Sequence, residues 1–174
     1  MNMAYSISQL INENFLAGVC PDYAYDAAGR LVREGERSFF YGWMDKVLSV
    51  SDGNGIRKYT YGLDGQLASA TAADGAVSEF LWDGLALIRR DGVDYLNEPH
   101  PNGGSPVLAS DGRAFINAIL GTSQETLNDR GYEASSLTAF GDGTDGVFFT
   151  GKPKVDNALG YAFLFRNYRP DHGK

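Results

Sequence analysis

Residues 23–31 read YAYDAAGRL: two tyrosines at alternate positions, then an aspartate, a glycine and a leucine. In an extended strand, successive side chains point to opposite faces, so Tyr23 and Tyr25 share one face. Asp26 and Gly29 are turn residues, because aspartate caps nearby amides and glycine enters the left-handed backbone region without a Cβ penalty. Arg30 completes the turn and Leu31 is the first apolar anchor of the returning strand. Looser copies follow as YTYGLDGQL at 59–67 and FLWDGLAL at 80–87, where Tyr59, Tyr61, Gly65, Trp82, Asp83 and Gly84 fill corresponding places. Gly62 replaces the aspartate in the second copy, which a turn tolerates and a catalyst does not.

Working outward, the chain contains eight Asp-Gly pairs, beginning at Asp52, Asp64, Asp74, Asp83, Asp91, Asp111, Asp142 and Asp145. Such pairs suit type I′ turns, in which both central residues take positive φ. Their spacing leaves room for one short strand between turns and predicts a β-meander. Aromatic residues alternate between them: Phe39, Tyr41 and Trp43, then Tyr59 and Tyr61, then Phe80 and Trp82. Cross-strand ladders of such rings contribute roughly 0.2–1 kcal/mol per pair beyond alanine. The intervening positions, such as Ala24, Thr60 and Leu81, are expected on the other face and to be mostly small. The repeat of about 20 residues marks units that cannot bury a face alone and need neighbours.

Segment 1–20 stands apart, and within it Ile7, Leu10, Ile11 and Phe15 fall at helical spacing, which predicts one short helix. Between Arg113 and Phe140 the periodicity weakens: RAFINAIL suits a buried strand or a short helix, and TSQETLNDRGYEASS reads as a polar connection. Aromatic alternation returns at Tyr161, Phe163 and Phe165, and Pro170 halts it.

Composition removes several functions. With 22 acidic against 15 basic residues and a net charge of -7, the chain offers no cationic surface to nucleic acid or anionic membranes. One cysteine, Cys20, forms no intramolecular disulfide, and with two histidines a thiolate–imidazole metal cluster is not expected. The first 20 residues lack the basic start and unbroken apolar core of a secretion signal. No run of about 18 apolar residues occurs, so no helix is expected to span a membrane.

YAYDAAGRL resembles the tyrosine-aspartate (YD) repeat of the RHS family at Tyr23, Tyr25, Asp26, Gly29, Arg30 and Leu31. Two further segments are similar to that family. YLNEPHPNGGSPVLASDGR at 95–113 carries its Gly104, Ser105 and Pro106. The stretch 149–174 resembles the start of the RHS repeat-associated core through Gly151, Tyr161, Arg166, Tyr168 and Pro170. The resemblance covers residues 21–174. It implies an all-β fold, an antiparallel meander of hairpins that forms a strip of a hollow shell. In the parent that shell encloses or presents a toxin released by self-cleavage. The chain ends before the matching cleavage and toxin regions, so a shell segment without protease or cargo is expected, secreted or cell-surface through its parent, with a closed barrel or sandwich as the structural alternative. Expected partners are the remainder of the shell or a second copy added at an edge strand; no cofactor is expected.

Against construction stands chemistry. Glu98, His100 and Ser105 lie close in sequence, but Ser105 sits in GGSPV rather than in a G-x-S-x-G elbow, so no catalytic residue and no enzyme is expected. DGNG at 52–55 is the nearest approach to an acidic cation-binding turn, and a plain turn accounts for it; no metal site is expected. Exposed aromatic rows at Trp43, Tyr61 and Trp82 would offer platforms for a sugar ring, which makes carbohydrate binding or adhesion the alternative function. An open meander would also leave one aromatic face in water, so a second layer, a strong curl or a partner must cover it.

Overall fold

A computed structural model describes residues 22–100, 103–128, 131–134 and 148–169. Segment 1–20 with its expected helix, Cys20 and Pro170 lie outside them. The remaining chain is almost entirely β, as the turn spacing requires. Thirteen antiparallel strands follow one another in chain order. They are β1 (Tyr23–Tyr25), β2 (Leu31–Glu34), β3 (Arg37–Tyr41), β4 (Val47–Asp52), β5 (Gly55–Tyr61), β6 (Leu67–Thr71) and β7 (Val77–Asp83). They continue as β8 (Ala86–Arg90), β9 (Val93–Asn97), β10 (Pro106–Ala109), β11 (Ala114–Asn117), β12 (Ser123–Asn128) and β13 (Gly131–Ala134). A second sheet of four strands holds β14 (Phe148–Phe149), β15 (Lys152–Asp156), β16 (Gly160–Ala162) and β17 (Asn167–Tyr168).

The turns differ from the expected type. Among the described Asp-Gly pairs only Asp91-Gly92 has positive φ at both central residues, +52° and +81°; Thr150-Gly151 also does, at +47° and +75°. Asp142 and Asp145 lie outside the described residues. Most others are wider reversals in which the amide of residue i donates to the carbonyl of i+4, and the amide of i+3 donates to the carbonyl of i. This closure recurs from Asp26, Gly62, Ala72, Ala109 and Ala118, with Gly29, Gly65, Gly75, Gly112 and Gly121 in the left-handed region at i+3. Asp26 occupies position i and its Oδ1 accepts from the amides of Ala28 and Arg30. In later turns the aspartate has moved to i+2, where Asp64, Asp74 and Asp111 cap the same i+4 amide. The side-chain cap persists while its donor position shifts, which explains how Gly62 can stand for Asp26. Asp83 is the last residue of β7, paired with Ala86 across the two-residue loop Gly84–Leu85.

Two further expectations change. RAFINAIL supplies strand β11, one of its two readings, but the polar stretch after it, expected as a connection, forms β12 and β13 in continuous register from Glu125↔Ala134 to Asn128↔Gly131. Polar residues hide a strand when both hydropathy and turn signals are weak. The outward positions are also not uniformly small, since Phe40, Leu81 and Leu96 are exposed there.

The aromatic face is covered by the second sheet. Phe39, Val50, Tyr59, Phe80, Leu87, Tyr95 and Phe115 from the strip form one core with Phe148, Val155 and Leu159. Val50 and Leu87 are wholly buried, and each such side chain stabilises by about 1.5–3 kcal/mol. Phe148 wedges edge-on between Tyr95 and Phe115, at 5.3 and 5.5 Å between ring centroids. Of the three expected covers, a second layer is the one observed.

Candidate functional site

The repeated phrase builds a repeated device. Between each even strand from β2 to β10 and the odd strand after it, backbone pairing runs only as far as Ser38, Lys58, Glu79, Asp94 and Ala114. One residue further on, Phe39, Tyr59, Phe80, Tyr95 and Phe115 turn into the core. Three residues further on, a side chain bridges the gap where the strands have splayed. Tyr41 Oη donates to the Leu31 carbonyl at 2.9 Å, Tyr61 Oη to Val47 at 3.0 Å and Trp82 Nε1 to Leu67 at 2.8 Å. Asn97 Nδ2 donates to Leu87 and Asn117 Nδ2 to Pro106, each at 2.8 Å. Each acceptor is the first or second residue of an even strand. On the other side of the strand the register shifts immediately before Tyr25, Tyr41, Tyr61, Trp82 and Asn117, with the extra residue on the following even strand. Such a bulge bends the bulged strand and increases the local twist.

Thus in β3, β5 and β7 the first aromatic of each pair is core and the second is a clamp. Tyr23 and Tyr25, on the first described strand, are 44% and 52% exposed. The motif's arginine has a role beside them. Arg30 pairs with Asp26 at 2.6 Å and Asp45 at 2.9 Å and lies over the ring of Tyr41, 5.1 Å from its centroid. Lys46, four residues after Gly42 as Arg30 is after Asp26, lies over the Tyr61 ring at 5.4 Å. The Arg30 amide, and then its guanidinium, hold the Asp26 carboxyl below the ordinary carboxylate range.

Burial pushes the Tyr61 phenol up to about 12. The folded chain therefore keeps Tyr61 neutral while the unfolded chain ionises it near 10. Stability from this group is complete below pH 10 and is lost as pH rises towards 12. Tyr61→Phe is expected to lower stability by about 1 kcal/mol at pH 7, since the Val47 carbonyl loses its donor. In urea titrations at stepped pH, that variant should also lose less stability than the parent between pH 10 and 12.

The residues resembling the RHS core form the seam with the second sheet. Gly104 (φ +65°) and Gly151 (φ +75°) meet there, and a Cβ on Gly151 would overlap the Gly104 carbonyl oxygen. Ser105 is 2% exposed and its Oγ donates to the Gly121 carbonyl at 2.9 Å. Pro106 is fully buried beside it, and the Gly151 amide donates to the Gly121 carbonyl. Tyr161 is fully buried, and Tyr168 stacks on Phe149 at 5.0 Å with ring planes 17° apart. Polar tethers complete the seam: Tyr59 to Asp156 at 2.7 Å, Arg90 to the Lys154 carbonyl, Lys152 to the Leu85 carbonyl, and Lys46 to the Leu164 carbonyl. Arg169 reaches Glu34 with both terminal nitrogens, at 2.6 and 3.2 Å. It is buried rather than a surface arginine, whereas Arg166 is exposed.

The chemical candidates are dispersed. Ser105 Oγ is buried and engaged, while Glu98 and His100 are exposed on the loop before it. Asp52 caps Asn54 and pairs with Arg57 at 2.6 Å, and among the described residues no cluster of three His, Cys, Asp or Glu side chains is placed to hold a metal. Trp43 stands 71% exposed in a 3-10 turn, apart in role from the half-buried clamps Tyr61 and Trp82. Asn97 and Asn117 were not nominated by the sequence, although both lie two residues after a ring, Tyr95 and Phe115, where the repeat's second aromatic belongs.

The fold and seam define a class: a serial β-hairpin strip closed on one face by its own C-terminal sheet. Solved structures with this fold include Tc toxin assemblies. The chain superposes on a chain of the Photorhabdus luminescens Tc holotoxin pore containing mutated TccC3 with a TM-score of 0.59, at 14% identity over 84% of its length. On a chain of the TcdB2-TccC3-TEV crystal structure it gives 0.54, at 14% identity over 86%. In both cases it spans 9% of the matched chain. No family model and no curated protein matches the sequence.

Proposed function

We propose that the chain is a structural segment of an RHS-type repeat shell, a strip of wall that encloses or presents a toxin or effector domain in a longer polypeptide, with no catalysis of its own. The observation that carries this reading is the clamp, repeated five times at the same three-residue offset from Tyr41 to Asn117. A device with one job at every repeat is construction, whereas an active site is built once. The fold shared with segments of Tc toxin assemblies supports the same reading, as does the use of Ser105 as a buried hydrogen-bond donor.

A segment of wall carries strand edges meant for neighbours. The chain is therefore expected to self-associate with rising concentration in size-exclusion chromatography with light scattering. Tyr23→Lys combined with Tyr25→Lys, which charges the exposed first strand, should shift it towards monomer. A parent that stays strictly monomeric at high concentration, or turnover of ester or glycoside substrates that is lost with His100→Ala, would overturn the proposal. Saturable glycan binding lost with Trp43→Ala would replace it with the adhesion reading.

A further inference from the structure

A cleft of about 680 Å³ opens between the strip and the C-terminal sheet, and the wall role leaves it unused. Phe149, Phe163, Leu164 and Leu85 line it. At its mouth stand Ile119, Leu120 and Phe165, 104%, 78% and 89% exposed. Single exposed apolar residues are ordinary on a protein surface, but three so fully exposed, converging from two sheets on one opening, form a patch that calls for an occupant. The volume falls in the range of small-ligand sites.

The polar groups specify the occupant's charge. Lys152 lines the cleft, 7% exposed, with Nζ on the Leu85 carbonyl at 2.7 Å, and the exposed Arg166 lines it as well. Glu98 and His100 also border it, both exposed to water, where the Glu98 charge is screened more strongly than that of the buried lysine. On a chain of net charge -7, a buried cation in an apolar cleft reverses the local sign, and an anion brought beside it favours its charged form.

We infer that this cleft binds a small amphipathic anion, an apolar chain with one carboxylate head, held by the aromatic wall along its tail and by Lys152 and Arg166 at its head. The inference does not depend on the wall reading, since a free-standing domain would keep the same cleft. Calorimetric titration of the full chain with dodecanoate below its micelle concentration should show one saturable site, with dodecanol binding more weakly. Leu120→Asp should weaken dodecanoate by about tenfold or more, and Arg166→Glu should weaken dodecanoate by about tenfold while leaving dodecanol within about twofold. Both positions are exposed, so unchanged urea midpoints establish that the variants are folded, and Phe165→Ser provides a second, uncharged test of the mouth. Absence of saturation, equal affinity for dodecanol, or a Leu120→Asp variant that binds like the parent would overturn the inference.

Discussion

Gly151→Ala is expected to undock the C-terminal sheet. At φ +75° a non-glycine residue is strained, and the added methyl would overlap the Gly104 carbonyl oxygen, a backbone atom that cannot swing aside. Left-handed strain alone is worth about 1–2 kcal/mol. With the steric overlap the loss should reach about 3 kcal/mol or more. Gly75→Ala supplies the control: its φ is +89° but nothing lies within 4 Å of the added Cβ, so it should lose only about 1–2 kcal/mol. Urea midpoints for the two variants measure the difference. Undocking would also expose Phe148 and the core beneath it, so Gly151→Ala should bind a hydrophobic dye that Gly75→Ala does not. Equal midpoints would mean that the seam contributes nothing.

The second large effect is expected at Glu34 and Arg169. Both are 9% exposed, and the arginine also lies 5.9 Å from the centroid of the Phe39 ring. Removing one partner of a buried ion pair costs up to about 3–5 kcal/mol. Glu34→Leu should approach that range, and Arg169→Met should cost less, because Arg37 at 3.8 Å remains beside Glu34. The double variant should be less destabilised than the sum of the two, and could approach the parent, because an apolar pair of similar volume avoids the desolvation penalty. Additive losses in the double-mutant cycle would show that the two side chains do not act as a pair.

The fold was legible where local chemistry repeats. Tyr23, Tyr25, Gly29 and Leu31 specify strand, turn and strand without reference to anything distant, and the copies at Tyr59 and Phe80 extend the meander through β9. Legibility ended where the repeat changed its chemistry but kept its geometry. Asn97 and Asn117 donate the same hydrogen bond as Tyr41 and Tyr61, yet they carry no aromatic signal. The strands β12 and β13 likewise lack the apolar alternation that marks a half-buried sheet. The seam was beyond sequence reasoning for a different reason: Tyr59 and Asp156 are 97 residues apart and Glu34 and Arg169 are 135 apart, and no local pattern links them. Of the cleft, the sequence offered Glu98, His100 and Ser105 as neighbours, but the hydrophobic mouth is assembled only when Phe165 is brought to Ile119 and Leu120.

The splayed joins give the strip an uneven stiffness. Within the hairpins β3–β4, β5–β6, β7–β8 and β11–β12, the main chains pair at four positions each. Between successive hairpins they pair at two, four, three, two and one positions from β2–β3 to β10–β11, and one side-chain bond bridges each remaining gap. A side-chain link can rotate about its χ angles where a main-chain ladder cannot, so bending concentrates at the joins with the fewest main-chain pairs, increasingly from β4–β5 towards β10–β11. The strip is mechanically a row of rigid slats on pivots, and the residue chosen for each pivot, a long ring or a short amide, sets how far one slat tilts against the next.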